Sequence, residues 1–221
     1  MFRPYSIYEG TYLVKLARKA VDTFLTTGRV EIPDDPPPKL LGDDYGVFTT
    51  IETTHGEKYE LRGCIGYPEG YRNTLYATIY SAIGACCQDP RFPAMKREEL
   101  GSVIFEISIL SPLTYVEADP RKLPEVVQVG RHGLVVKRGP YSGLLLPQVA
   151  VEECWSPEEF LMHTCIKAWL SGDCWLDRKT KLYIYEAQIF RERAPGGEVY
   201  ERDLVAEAAR CSQETRPGNV T

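Results

Sequence analysis

An α+β fold built of two hairpin-helix-strand repeats, with mainly antiparallel pairing, is the architecture this sequence predicts. Three observations carry it. A β-branched and aromatic run over 46–54 meets a strand-like run from Lys58 toward Arg62, and apolar runs 133–137 and 143–146 pair likewise, each pair joined by a glycine-bearing turn, the pattern of a hairpin. Each hairpin is followed by apolar residues at helical spacing, and each helix by one more strand, 102–110 or 181–190. The halves share this order but not their residues, so the repeat is architectural and not a short-period solenoid.

The elements follow in order. Ser6-Ile7-Tyr8-Glu9 matches a capping box, with Glu9 set to reach back to the Ser6 amide. Leu13, Leu16, Ala17, Ala20, Val21 and Phe24 continue it as one helical stripe, and Gly28 is the stop. Asp34-Asp35-Pro36-Pro37-Pro38 reads as a stiff extended connection. The first hairpin turns at His55-Gly56-Glu57 and ends in the glycine-flanked turn Gly63-Cys64-Ile65-Gly66. Leu75, Ile79, Ala82, Ile83 and Cys86 form the next helical stripe, ending before Asp89-Pro90. In 102–110, Val103, Phe105, Ile107 and Ile109 alternate with Glu106 and Ser108, as in a half-buried strand. The second hairpin turns at Gly139-Pro140-Tyr141-Ser142. Ser156-Pro157-Glu158-Glu159 then supplies an N-cap serine, proline at the first helical position and glutamate at the third, opening a helix to about residue 170. One domain is expected over 1–195, its repeats at about 40–115 and 128–192 behind an N-terminal helix. A weakly ordered polar tail is expected over 196–221.

A net charge of −5 gives no overall pull toward nucleic acid or anionic lipid, and leaves only a local RNA contact open. No apolar run approaches the roughly 20 residues that span a bilayer. Met1-Phe2-Arg3-Pro4-Tyr5 lacks the apolar core of a signal peptide, so a cytoplasmic protein is expected. Seven cysteines include no C-x-x-C pair. Cys154, Cys165 and Cys174 read as small apolar fillers, with a disulfide among them as the alternative, one that suits a hyperthermophile. Cys86 and Cys87, adjacent on a helix, point apart and make no site alone. No metal-ligand spacing occurs, so neither a metal nor a cofactor is expected.

The chemistry centres on Leu61-Arg62-Gly63-Cys64-Ile65-Gly66. Alternate residues of a strand share a face, which puts Arg62 beside Cys64, and a guanidinium beside a thiol favours the nucleophilic thiolate. Gly63 and Gly66 offer positive φ and close approach. The competing reading is a buried structural cysteine at a strand end. If the halves are related by a pseudo-twofold axis, the Cys64 turn faces the Pro147-Gln148 turn across a groove, a usual home for a ligand.

These residues resemble the AMMECR domain family. The likeness rests on Leu61-Arg62-Gly63-Cys64-Ile65-Gly66, Asp89-Pro90-Arg91-Phe92-Pro93, Ile107-Ser108-Ile109-Leu110-Ser111-Pro112, Gly130-Arg131-His132-Gly133-Leu134, Leu146-Pro147-Gln148-Val149 and His163-Thr164-Cys165-Ile166-Lys167-Ala168. The blocks stand in the family's order and cover about residues 8 to 192. Cys154 and Trp169 depart from the pattern, standing where the family has glycine. The resemblance implies two β-α repeats sharing one barrel-like sheet with helices packed outside. It implies no established activity. It does imply a link to Memo-like and radical-SAM proteins of a modification pathway, and Cys64 as the candidate nucleophile.

Two functional readings follow. In the first, Cys64 is the nucleophile, Arg62 stabilises its thiolate or binds an anion, and His132 is the base, with Gly63, Gly66, Arg91, Gln148 and His163 binding a substrate in the groove. In the second, the Cys64 turn is structural. Arg62, Arg72 and Arg91 with Tyr67 and Tyr71 then offer an anion- or partner-binding surface on a non-catalytic adaptor. His132 as an exposed turn histidine, and His163 with Lys167 on a solvated helix face, are the plainer readings of those residues.

Overall fold

The computed structural model describes residues 1–56 and 58–214, which leaves Glu57 of the first hairpin turn and residues 215–221 of the expected tail outside the described residues. In chain order the elements are α1 (Ile7–Thr27), α2 (Pro38–Gly42), β1 (Gly46–His55), β2 (Lys58–Tyr67), α3 (Thr74–Cys87), β3 (Val103–Leu110), β4 (Thr114–Tyr115), α4 (Leu123–Val126), β5 (His132–Arg138), β6 (Tyr141–Leu145), α5 (Pro147–Glu152), α6 (Pro157–Lys167), β7 (Lys181–Glu192), β8 (Val199–Glu201) and α7 (Leu204–Glu214). The fold is mixed helix and strand, and its strand pairs are antiparallel. Two compact units result, one formed by 2–112 with 188–202, the other by residue 1, 113–187 and 203–214. Strand β7 lends its first half to the second unit and its last residues to the first.

In the first unit the strands run β2-β1-β3-β7, with β8 paired to the end of β7. Helices α1 and α3 cover one face. Helix α1 forms because Ser6 and Glu9 complete the capping box, and it stops where Gly28 takes φ 70°. Its buried stripe of Leu13, Val14, Ala17 and Val21 joins Leu75, Ile79 and Ala82 of α3 and Val47, Ile51, Phe105 and Ile107 of the sheet in one core. Gly10 lets α1 close on the Phe190 ring, which a β-carbon would overlap at 2.2 Å.

The opposite face of this sheet is also buried, which corrects the half-buried reading of β3. All eight of its residues are buried, Glu106 and Ser108 included. Glu106 can sit there because Arg191 and Arg202 reach its carboxylate at 3.1 and 2.9 Å. Burial pushes that carboxyl up, but the two guanidinium groups outweigh it and hold it below its usual range. Alternation of polar and apolar residues misreads a strand whose buried charges are paired.

The second unit holds β6-β5 on the first half of β7, with β4 on the same stretch of β7. Helix α6 begins in the expected capping box of Ser156 and Glu159 and buries Phe160, Leu161 and Cys165. The filler reading of the cysteines is corrected here: Cys165 is bonded to Cys174 and Cys154 to Cys211. The tail expected from residue 196 is corrected too, since it supplies β8 and then α7, which the Cys154–Cys211 bond fastens within the second unit. The Pro-rich stretch also differs from a purely extended connection, because Pro38 occupies the first turn of α2, where a missing amide hydrogen costs nothing.

Candidate functional site

Cys64 lies within β2 and not in a turn, because the strand runs on through both glycines to Tyr67. Neither Gly63 nor Gly66 has positive φ. Both are required by close approach instead. A β-carbon on Gly63 would stand 2.0 Å from the Ala85 carbonyl oxygen of α3, and one on Gly66 2.3 Å from the Phe48 ring. The motif therefore presses β2 against α3 and β1.

Arg62 does not accompany Cys64. Cys64 pairs with Thr50 and Gly63 with Ile51, but Glu52 pairs with Leu61, so Arg62 is the extra residue of a β-bulge. The bulge breaks the alternation that places Arg62 and Cys64 on one face. Arg62 instead holds Glu99 with two hydrogen bonds, from Nε at 2.7 Å and from Nη2 at 3.2 Å.

The partner of Cys64 is the Asp89-Pro90-Arg91 loop. The Cys64 amide donates to Asp89 Oδ2 at 2.8 Å, and Arg91 Nη2 reaches the Cys64 carbonyl at 3.4 Å. Arg91 also grips the same carboxylate through Nε at 2.9 Å and Nη2 at 2.7 Å. Burial alone would raise the Asp89 carboxyl, yet the hydrogen bonds from Arg91 and the Cys64 amide prevail and hold it at about 2. The thiol itself accepts the Thr50 hydroxyl, at 3.4 Å. Burial raises the Cys64 thiol above its ordinary value, against the opposing pull of Thr50 and the Arg91 charge. Such a thiol is a poor nucleophile near neutral pH.

The remaining candidates belong to the second unit. His132 is buried at the start of β5, and its Nδ1 accepts the Gln128 amide at 3.1 Å. That bond assigns the ring proton to Nε2 and occupies the lone pair a general base would use. Burial first, then the Arg131 charge, lowers the His132 pKa. Gln148 is buried in the first turn of α5. His163 stacks flat on Trp155, with ring centroids 3.9 Å apart and planes 2° from parallel, so it packs and does not lie on an open helix face. Among the anion-surface residues, Tyr67 stacks on Tyr71 at 4.4 Å, and the Arg72 guanidinium lies 5.3 Å over Tyr76. Nothing local in the sequence assigns Asp89 this role, because the Asp89-Pro90-Arg91 string reads as a helix stop.

Both positions that depart from the family's glycine pattern take left-handed backbone, Cys154 at φ 52° and Trp169 at φ 61°. The departures mark real conformational demands.

A family model described as AMMECR1 matches residues 14–190. Protein PAE0745 of Pyrobaculum aerophilum is 80% identical over 96% of this chain and 100% of its own length. A protein of Caldivirga maquilingensis is 53% identical over 96% of this chain and 98% of its own. The crystal structure of uncharacterized protein PH0010 from Pyrococcus horikoshii is similar at 45% identity and a TM-score of 0.85, covering 89% of this chain and 97% of that one.

Proposed function

This chain belongs to the AMMECR1 family, and we propose that it works as a non-catalytic binding module in which the Cys64 strand is scaffold. One observation carries the reading: the Asp89 carboxylate is closed on the Cys64 amide and on Arg91, while the sulfur's hydrogen-bond partner among the described residues is the Thr50 hydroxyl. A nucleophilic cysteine needs a base or a lowered pKa, and burial moves this thiol the other way. The group offered outward is Arg91. Its side chain is 44% exposed, and its guanidinium lies 5.5 Å over the Phe92 ring. A cation beside an aromatic ring suits a carboxylate or phosphate on a protein or small ligand.

A partner from a modification system, as the family resemblance implies, fits such a module. A cytoplasmic location belongs to the same proposal. No helix among the described residues is long and apolar enough to cross a membrane, and intracellular disulfides are at home in hyperthermophiles.

The test is the rate of iodoacetamide labelling at Cys64 as a function of pH, read by peptide mass spectrometry. The midpoint is expected above the free-thiol value of about 8.5. A midpoint well below that value would return the chain to the reading of a Cys64-dependent enzyme.

A further inference from the structure

Cys86 and Cys87 close α3, and their sulfurs stand 2.7 Å apart. This corrects the expectation that they diverge. The separation lies well inside a relaxed contact between two sulfurs and outside the roughly 2.0 Å of a covalent S–S bond. Cys86 is buried and Cys87 half-buried, so reagents meet Cys87 first. These two and Cys64 are the free thiols of a chain whose other cysteines are bonded.

A second observation points to the same pair. The Arg62 guanidinium spends Nε and Nη2 on Glu99, but its Nη1 is buried without a hydrogen-bond partner among the described residues. Its charge acts on Cys86 in the direction that favours the thiolate, against the stronger effects of burial and of Cys87. The guanidinium that the strand pattern assigns to Cys64 thus acts on Cys86, whose thiol burial and Cys87 still push up.

We propose that Cys86 and Cys87 are a site of thiol–disulfide exchange, oxidised to a vicinal disulfide by an external disulfide, and that closing this bond loosens the grip of Asp89 on Cys64. The Cys87 thiolate attacks one sulfur of the external disulfide, whose S–S bond breaks as a mixed disulfide forms. The first thiolate leaves and takes up the proton given up by Cys87. The Cys86 sulfur then attacks the Cys87 sulfur, forms the internal S–S bond, and releases the second external thiol with the Cys86 proton. Two cysteines are oxidised and one disulfide is reduced to two thiols.

The coupling follows from position. Asp89 stands two residues beyond Cys87, the Cys86 carbonyl accepts the Met95 amide at 2.8 Å, and the Gln88 amide donates to Gly84 at 2.7 Å. A small ring between adjacent residues cannot keep a helical turn. Closing it must shift the end of α3 that aims Asp89.

The test exposes the protein to oxidised glutathione, quenches in acid, and alkylates in denaturant before peptide mass spectrometry. Alkylatable thiols should fall from the three now free to Cys64 alone, and the peptide carrying Cys86 and Cys87 should lose two hydrogens and take no label. Exchange of the Cys64 amide hydrogen should quicken about tenfold or more on oxidation, since local opening sets that rate. Cys87→Ser should keep both of its remaining thiols under the same treatment, and if it does not fold, the wild-type readings suffice. The proposal is overturned if three thiols persist, if Cys87 halts as a glutathione adduct, or if the Cys64 amide exchanges at an unchanged rate. None of these readings depends on the pH midpoint of Cys64 labelling, so the two proposals fail separately.

Discussion

Asp89 accepts the main-chain amide of Cys64 at 2.8 Å through the same oxygen that takes a hydrogen bond from Arg91 at 2.7 Å. One buried carboxylate thereby ties an edge strand to a loop 25 residues further along the chain. The arrangement makes the family's cysteine string and its Asp-Pro-Arg string a single structural device. A strand edge has unpaired amides to satisfy, and here a side chain satisfies one of them.

Asp89→Asn should lower stability by about 2 kcal/mol, since charge-assisted hydrogen bonds to Arg91 become neutral ones. The folded carboxyl is held at about 2, against an ordinary 3.8. A depressed carboxyl stabilises fully above its unfolded value and loses that contribution as pH falls. The wild type should therefore give up about 2 kcal/mol between roughly pH 4 and pH 2, and the variant should lack that component. Denaturant midpoints across this range measure it. Superimposable acid profiles for the two proteins would contradict the role given to Asp89.

Trp169→Gly should raise stability by about 1 kcal/mol. The tryptophan is 90% exposed and takes φ 61°, so it contributes little burial and keeps a backbone that favours glycine. Thermal unfolding is the measurement. A loss of stability would mean that the exposed indole is held by contacts the folded chain does not show.

Separate removal of the two disulfides should cost unequal amounts. The Cys154–Cys211 bond closes a separation of 57 residues and the Cys165–Cys174 bond one of 9. Loop-closure entropy puts these at about 4.2 and about 2.6 kcal/mol respectively, a difference of about 1.6 kcal/mol. Paired Cys→Ala variants compared by denaturant unfolding test the order. Equal losses, or the reverse order, would show that relief in the native state outweighs the entropy of the unfolded chain.

What the sequence determined by itself is local. The Ser6/Glu9 and Ser156/Glu159 boxes, the Gly28 stop and both hairpins depend on residues a few positions apart, and each folds as its neighbours dictate. The family strings could be recognised in the same way, but that the departures at Cys154 and Trp169 take left-handed backbone only the fold shows. Only the tertiary structure decided the rest. A bulge turned Arg62 from Cys64 to Glu99, Asp89 found its amide across the fold, and Cys154 found Cys211 in a stretch that reads as tail. The buried carboxylate of Glu106 depends on arginines from positions 191 and 202. Each of these pairings joins residues far apart in the chain. Their energy comes from desolvated charge and closed distance, quantities that do not exist until the chain has folded.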